Sequence, residues 1–317
     1  MPDLADRRLE RLRSVLTRTD QVALLTADPI NIFYATGLRN MSIFSMMGAS
    51  RFALIVADGP VVVWEFAGTE HLASHATTID DIRTAPGLTP VSGPGYVDAI
   101  ERFASEVARI CGASSSQPQL LGVERMDHPI TDALRDAGFT LASATETFVD
   151  ARQLKLDGEI HVMREAMQRV IDAVDIMRAG IEPGRTENEI WSELHRHLIA
   201  NDGEYISTRL VQAGQRTFPY FREASMNTLS NGDLFCVDTD AIGFGGYGVD
   251  FSRTFVCGDK RASVAQRQLH RLAVDQLEHN ASRLGPGVRF EDFARDAWSV
   301  PDRFAPYRYY CLAHTKG

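Results

Sequence analysis

Asp233–Cys257 reads DLFCVDTDAIGFGGYGVDFSRTFVC, and the fold of the second half of the chain turns on it. Leu234–Ala241 and Tyr247–Val256 have the apolar, β-rich composition of strands, and Gly243-Phe244-Gly245-Gly246 lies between them. Two such runs joined by glycines predict a β-hairpin. Successive side chains of a strand point to opposite faces, so Asp238 and Asp240 share a face, about 7 Å apart along the strand. Once the hairpin closes at the glycines, Asp250 reaches that face from the second strand.

Three carboxylates gathered on one face repel one another and resist burial. One divalent cation, or two, resolves the conflict, and hard oxygen donors suit magnesium, manganese, iron or zinc. The competing reading is a solvated polar strand face. Phe235, Val237, Val249 and Phe255 argue against it, because they give both strands a core-like composition. The glycines alone would also suit a phosphate loop, but no helix follows to receive an anion at its N-terminus.

Upstream of the hairpin, Asp157–Ala179 reads as a long helix, with Ile160, Met163, Val170, Val174 and Met177 at helical spacing. Gly180 and Pro183-Gly184 stop it. Thr186 and Glu189 form a capping box for a second helix carrying Ile190, Leu194 and Leu198. A third helix is expected at 263–283, ended by Gly285-Pro286-Gly287. Helices followed by strand hairpins predict an α+β domain over 153–317. Residues 1–152 alternate strand patterns (21–26, 51–57, 61–66) with helical ones (3–18, 97–110, 130–137), which predicts an α/β domain. Asp28-Pro29 reads as a break after the first strand, since a residue before proline avoids the helical region.

The composition is that of a globular protein, 44% hydrophobic and 24% charged, with a formal net charge of -9. An acidic balance disfavours nucleic acid and anionic membrane as partners. No stretch reaches the ~18 apolar residues of a membrane span, and MPDLADRRLERLR lacks the apolar core of a signal peptide. Cys111, Cys236, Cys257 and Cys311 form no CxxC pair, so free thiols in a reducing cytoplasm are expected. His195, His197, His270 and His279 read as surface residues.

Gly246-Tyr247-Gly248-Val249-Asp250-Phe251-Ser252-Arg253-Thr254 resembles the metal-strand pattern of the creatinase, prolidase and methionine aminopeptidase family, the pita-bread fold. The likeness extends through Pro183-Gly184-Arg185-Thr186-Glu187 and back to Asp28-Pro29-Ile30-Asn31-Ile32-Phe33-Tyr34-Ala35-Thr36-Gly37. The resemblance implies a pita-bread catalytic domain preceded by a creatinase-like α/β domain. It implies two divalent ions (Mn, Fe or Zn) held by Asp238, Asp240, Asp250 and His314, and a homodimer acting on a small-molecule or dipeptide substrate. It also implies two glutamate ligands past His314, so the chain is expected to be a C-terminally shortened form.

This sequence departs from the peptidases of the family at three points. Asp240 and Asp238 lie ten and twelve residues before Asp250, and Thr239 holds the usual position. Tyr220, in Thr217-Phe218-Pro219-Tyr220-Phe221, stands where the peptidases have a histidine, and Thr315 follows His314 in place of glycine. The Asp-x-Asp and the aromatic residue resemble the dimethylsulfoniopropionate (DMSP) lyases built on the same fold, as does Glu204–Leu210 followed by Arg216-Thr217. The resemblance therefore implies an Xaa-Pro dipeptidase-like hydrolase. The alternatives are a lyase releasing dimethyl sulfide and a catalytically inactive binding module. Tyr220 is the candidate catalytic residue, and Phe44, Arg209 and Phe221 are candidate substrate contacts. Arg209 and Arg216 are equally readable as structural ion-pair partners.

Overall fold

The computed structural model describes residues 2–315. The chain divides into two compact units, Met1–Ile160 and His161–Gly317. In the first, the order is α1 (Pro2–Leu16), β1 (Ala23–Thr26), α2 (Pro29–Thr36), α3 (Ser42–Met47), β2 (Phe52–Val56) and β3 (Val61–Glu65). Then come β4 (Asp81–Thr84), α4 (Tyr96–Cys111), β5 (Gln119–Glu124), α5 (His128–Asp136), β6 (Phe139–Ser143) and α6 (Thr145–Gln153). The strands form one sheet in the order β4-β3-β2-β1-β5-β6. The β1/β2 and β2/β3 pairs are antiparallel, while β3/β4, β1/β5 and β5/β6 are parallel.

Both faces of this sheet are covered, which explains why its strands are apolar at consecutive positions. Ala23 and Leu25, Phe52 and Leu54, and Val62 and Trp64 enter one core with Ile100 and Phe103 of α4 and Leu134 of α5. The intervening Leu24, Ala53, Ile55, Val61 and Val63 enter the other with Leu12 and Leu16 of α1, Ile32 of α2 and Phe148 of α6. As the sequence predicts, β1 stops ahead of Asp28-Pro29 and Asp28 is extended at φ -76, ψ 118, and a helix that the sequence reading does not anticipate follows directly. Asp28 Oδ1 accepts from the amides of Ile30 and Asn31, and Pro29 occupies the first helical turn, so the pair opens α2.

The second unit takes up α7 (Asp157–Ala179), which begins at the end of the first, and α8 (Glu187–Ala200). These are followed by β7 (Tyr205–Ala213), β8 (Leu234–Ile242), β9 (Gly248–Val256), α9 (Val264–Ala281) and α10 (Phe290–Asp296). The three strands form an antiparallel sheet in the order β7-β8-β9. Phe235, Val237 and Ala241 of β8 and Val249 and Phe251 of β9 pack on Val170, Val174 and Met177 of α7 and Ile190 and Leu194 of α8. The even-numbered residues of β8, Asp238 and Asp240 among them, take the opposite face and are half-buried. Gly245 closes the hairpin at φ +68, and a Cβ there would lie 2.5 Å from the Val162 side chain, so glycine is required on both grounds.

The Thr186 hydroxyl accepts from the amide of Glu189, whose carboxylate accepts from the amide of Thr186, closing the expected capping box at the start of α8. Thr186→Ala is expected to cost about 1 kcal/mol, read as a lower urea midpoint with an unchanged slope. A shift indistinguishable from zero would refute the cap's contribution. All four cysteines are free. Among the described residues no helix is long and apolar enough to cross a membrane.

Candidate metal centre

Register decides which side chains meet on the exposed face of the second sheet. Asp240 pairs directly with Asp250, and Asp238 with Ser252. On the other side of β8, Asp240 faces Thr208 and Asp238 faces Leu210. Residues directly opposite in an antiparallel pair project to the same side, so the hairpin brings all three aspartates onto one face. A register irregularity between Ile206 and Thr208 accompanies the approach of β7 to Asp240. There the Thr208 hydroxyl donates to Asp240 Oδ2 at 2.9 Å and accepts from the Asp240 amide at 3.0 Å. Ser252 Oγ donates to Asp238 Oδ1 at 2.7 Å. His314 Nε2 stands 3.3 Å from Asp250 Oδ2.

These groups line a single cavity of about 590 Å³. Asp238, Asp240, Asp250, Thr208, Ser252 and His314 form its polar side, and Tyr220, Phe221 and Tyr309 its aromatic side. Tyr220 and Phe221 stack with centroids 4.4 Å apart, and Phe221 meets Tyr309 edge-on at 5.6 Å. The hydrogen bond with Tyr310, before any other influence, pushes the Tyr309 phenol up to about 12, so it stays protonated at neutral pH. Burial raises the Cys236 thiol, two residues before Asp238, and so disfavours a thiolate ligand on this face.

The donor set fits a divalent cation in kind. It offers three carboxylates and an imidazole, and none of the described residues lining the cavity is lysine or arginine. Asp240 and Asp250, directly opposed, are a like-charge pair that a bound cation would neutralise. Among the described residues, no three His, Cys, Asp or Glu side chains stand close enough to enclose an ion. Their oxygens are held instead by the hydroxyls of Thr208 and Ser252 and by His314.

Of the expected site residues, Asp238, Asp240, Asp250, His314, Tyr220 and Phe221 are brought together in this cavity. Arg209 is not among its lining residues, and its guanidinium bonds Glu223 at 2.7 and 2.8 Å. Arg216 pairs with the fully buried Glu187 at 3.1 Å. Phe44 lies in the first unit, on α3, where it packs edge-on against Phe66 at 5.7 Å. Thr208, Ser252 and Tyr309 are the hydroxyl-bearing lining residues absent from the sequence expectation. Ser252 was reachable, since it shares the alternation of Asp250. Thr208 needed the register of β7, and Tyr309 carries no local signal.

Residues 161–317 match the family model for metallopeptidase family M24. The whole chain aligns with dimethylsulfoniopropionate lyase DddP of Roseobacter denitrificans at 30% identity, covering 73% of that protein. The same enzyme of Roseovarius nubinhibens aligns at 29% identity, again over all of this chain and 73% of the relative. Among solved structures, a recombinant prolidase from Thermococcus sibiricus superposes with a TM-score of 0.75 at 16% identity, covering 92% of this chain and 75% of that one. That likeness is one of fold.

Proposed function

Because the chain belongs to metallopeptidase family M24, with the pita-bread fold of its prolidases, we propose that it is a metal-dependent lyase that eliminates dimethyl sulfide from a small sulfonium carboxylate of the DMSP type. The observation that carries this reading is the pairing of three carboxylates with an aromatic wall, Tyr220 included, in one cavity. Two relatives aligned along the whole chain bear the lyase name.

Asp238, Asp240, Asp250 and His314 would hold the ion. When bound, a divalent cation supplies Lewis-acid polarisation of the substrate carboxylate and stabilises charge that builds there. Thr208 and Ser252 orient the carboxylates by donating to Asp240 and Asp238. The faces of Tyr220, Phe221 and Tyr309 receive the sulfonium by cation–π attraction. Tyr220 is the candidate proton-transfer group, since its phenol belongs to the cavity that holds the carboxylates. The proton alpha to the substrate carboxylate passes to Tyr220 acting as a phenolate, the C–H pair becomes the Cα–Cβ double bond, and dimethyl sulfide leaves the β-carbon with the C–S pair, giving acrylate.

A second reading, an Xaa-Pro dipeptidase-like hydrolase, draws on the fold shared with the prolidase. Purified protein incubated separately with Mn, Fe and Zn tests both. Headspace dimethyl sulfide from DMSP, with no proline released from Xaa-Pro dipeptides, is expected. Proline release without dimethyl sulfide would establish the hydrolase, and inertness toward both in metal-loaded protein would leave a binding module.

A further inference from the structure

Tyr220 and Phe221 sit on the connection between β7 and β8, and Phe221 adopts φ +66, a left-handed conformation that bulky residues avoid. Such a conformation persists only where the surroundings over-determine it. Beside it the Arg222 amide donates to Gln212 Oε1 at 2.8 Å, and the rest of the connection gathers on Glu187, the first residue of α8 and wholly buried. Its Oε1 accepts from the Ala213 amide at 2.8 Å and from Asn227 Nδ2 at 3.0 Å. Its Oε2 accepts from the amide and hydroxyl of Ser225 at 3.0 and 2.7 Å. Arg216 Nε donates to both oxygens, and the same guanidinium donates to the Glu223 carbonyl at 3.0 Å. One carboxylate thus ties down the connection on both sides of the aromatic wall, at Ala213 before it and at Ser225 and Asn227 after it.

We propose that Glu187 is the positioning residue of the Tyr220–Phe221 wall and that it sets the affinity of the cavity for the substrate's cationic group. The second half of that statement rests on the sulfonium reading above, while the first does not. The chemistry requires an ionised acid. Only a carboxylate accepts on both oxygens, whereas the amide of glutamine would turn an NH2 toward some of these donors and leave them unsatisfied. Neither Glu187 nor its partners line the cavity, so the effect travels through the connection.

Hydrogen–deuterium exchange of the full chain is the test. In Glu187→Gln, amides of 214–227 are expected to exchange on the order of tenfold faster, the effect of one unsatisfied buried hydrogen bond. Amides of β8 and β9 keep their rates. KM for DMSP is expected to rise about tenfold with kcat within about threefold, and that rise is expected to vanish in a Phe221→Ala background. Should Glu187→Gln fail to fold, Ser225→Ala removes a single hydroxyl donor and is expected to shift the same amides and KM in the same direction, by less. Unchanged exchange at 214–227, or a KM effect that adds independently to Phe221→Ala, overturns the proposal. If the wild-type protein releases no dimethyl sulfide, the sulfonium reading fails alone and the exchange measurement still decides the role of Glu187.

Discussion

Asp250→Asn is expected to abolish divalent-metal uptake and to lower turnover by more than ~100-fold, while leaving the metal-free protein as stable as the wild type or slightly more so. The two halves of this expectation have one cause. Asp250 lies directly across from Asp240 in the hairpin, with its side chain 28% exposed. Like charges at such a cross-strand pair destabilise a sheet by roughly 0.2–1 kcal/mol, and the neutral amide removes that repulsion. The same change deletes a hard anionic donor from the set that a cation would neutralise. Loss of a hydrogen bond that merely supports a metal ligand costs ~10–100-fold, so loss of the ligand itself should exceed that range. Thr208→Ala and Ser252→Ala, which remove the hydroxyls on Asp240 and Asp238, give the internal scale and should fall within it. Metal content by mass spectrometry and urea midpoints of the metal-free proteins are the measurements. An Asp250→Asn protein that still binds its metal, or that is less stable metal-free by several kcal/mol, would show that Asp250 is a structural carboxylate.

That opposition between stability and metal affinity also distinguishes this face of the sheet from the one beneath it. Phe235, Val237, Val249 and Phe251 are buried on α7 and α8, and their burial stabilises the hairpin. Asp238, Asp240 and Asp250 spend some of that stability on the other side of the same strands. Sites where local rules are broken and the surroundings make good the loss are where function is expected. The carboxylate face and the left-handed Phe221 are both such places, and both border the same cavity.

What the sequence disclosed followed from periodicity and local chemistry. The β8–β9 hairpin, α7 and the Thr186 cap were legible because each is specified within a few residues of chain. The aspartate cluster was legible because a hairpin converts local alternation into a three-residue constellation. β7 escaped notice because YISTRLVQA alternates weakly, with only its last three residues buried. β6 escaped because of its brevity, and α2 because Asp28-Pro29 serves helices and turns alike. The Glu187 network was invisible for a different reason. Its donors lie 26 to 40 residues away in the chain, and no pattern in a window reveals which carboxylate will be buried among them.

Arg51→Met is expected to destabilise the first unit by ~3–5 kcal/mol, and it tests that same blindness to burial in a place without catalytic interest. Arg51 reads in sequence as the ordinary first residue of a strand pattern. Yet its side chain and that of Glu65 are 3% and 0% exposed, and Arg51 Nε and NH2 reach Glu65 Oε2 at 2.9 and 2.8 Å. A third nitrogen donates to the Asn40 carbonyl at 2.7 Å. Glu65 Oε1 is buried without a hydrogen-bond partner, so its carboxylate depends heavily on this one guanidinium. Methionine matches much of the arginine stem but leaves the carboxylate uncompensated, and the cost arises chiefly from that stranded charge. The double variant Arg51→Met/Glu65→Leu removes both charges and should recover most of the loss, since a buried ion pair is often no more stabilising than apolar side chains of similar volume. Denaturant midpoints of the single and double variants form the cycle. A double variant as unstable as Arg51→Met would assign the stability instead to the anchor on Asn40, which both proteins lack. A recovered one would assign it to the electrostatics of Glu65, and the pair would then be a liability that the first unit carries rather than a brace that holds it.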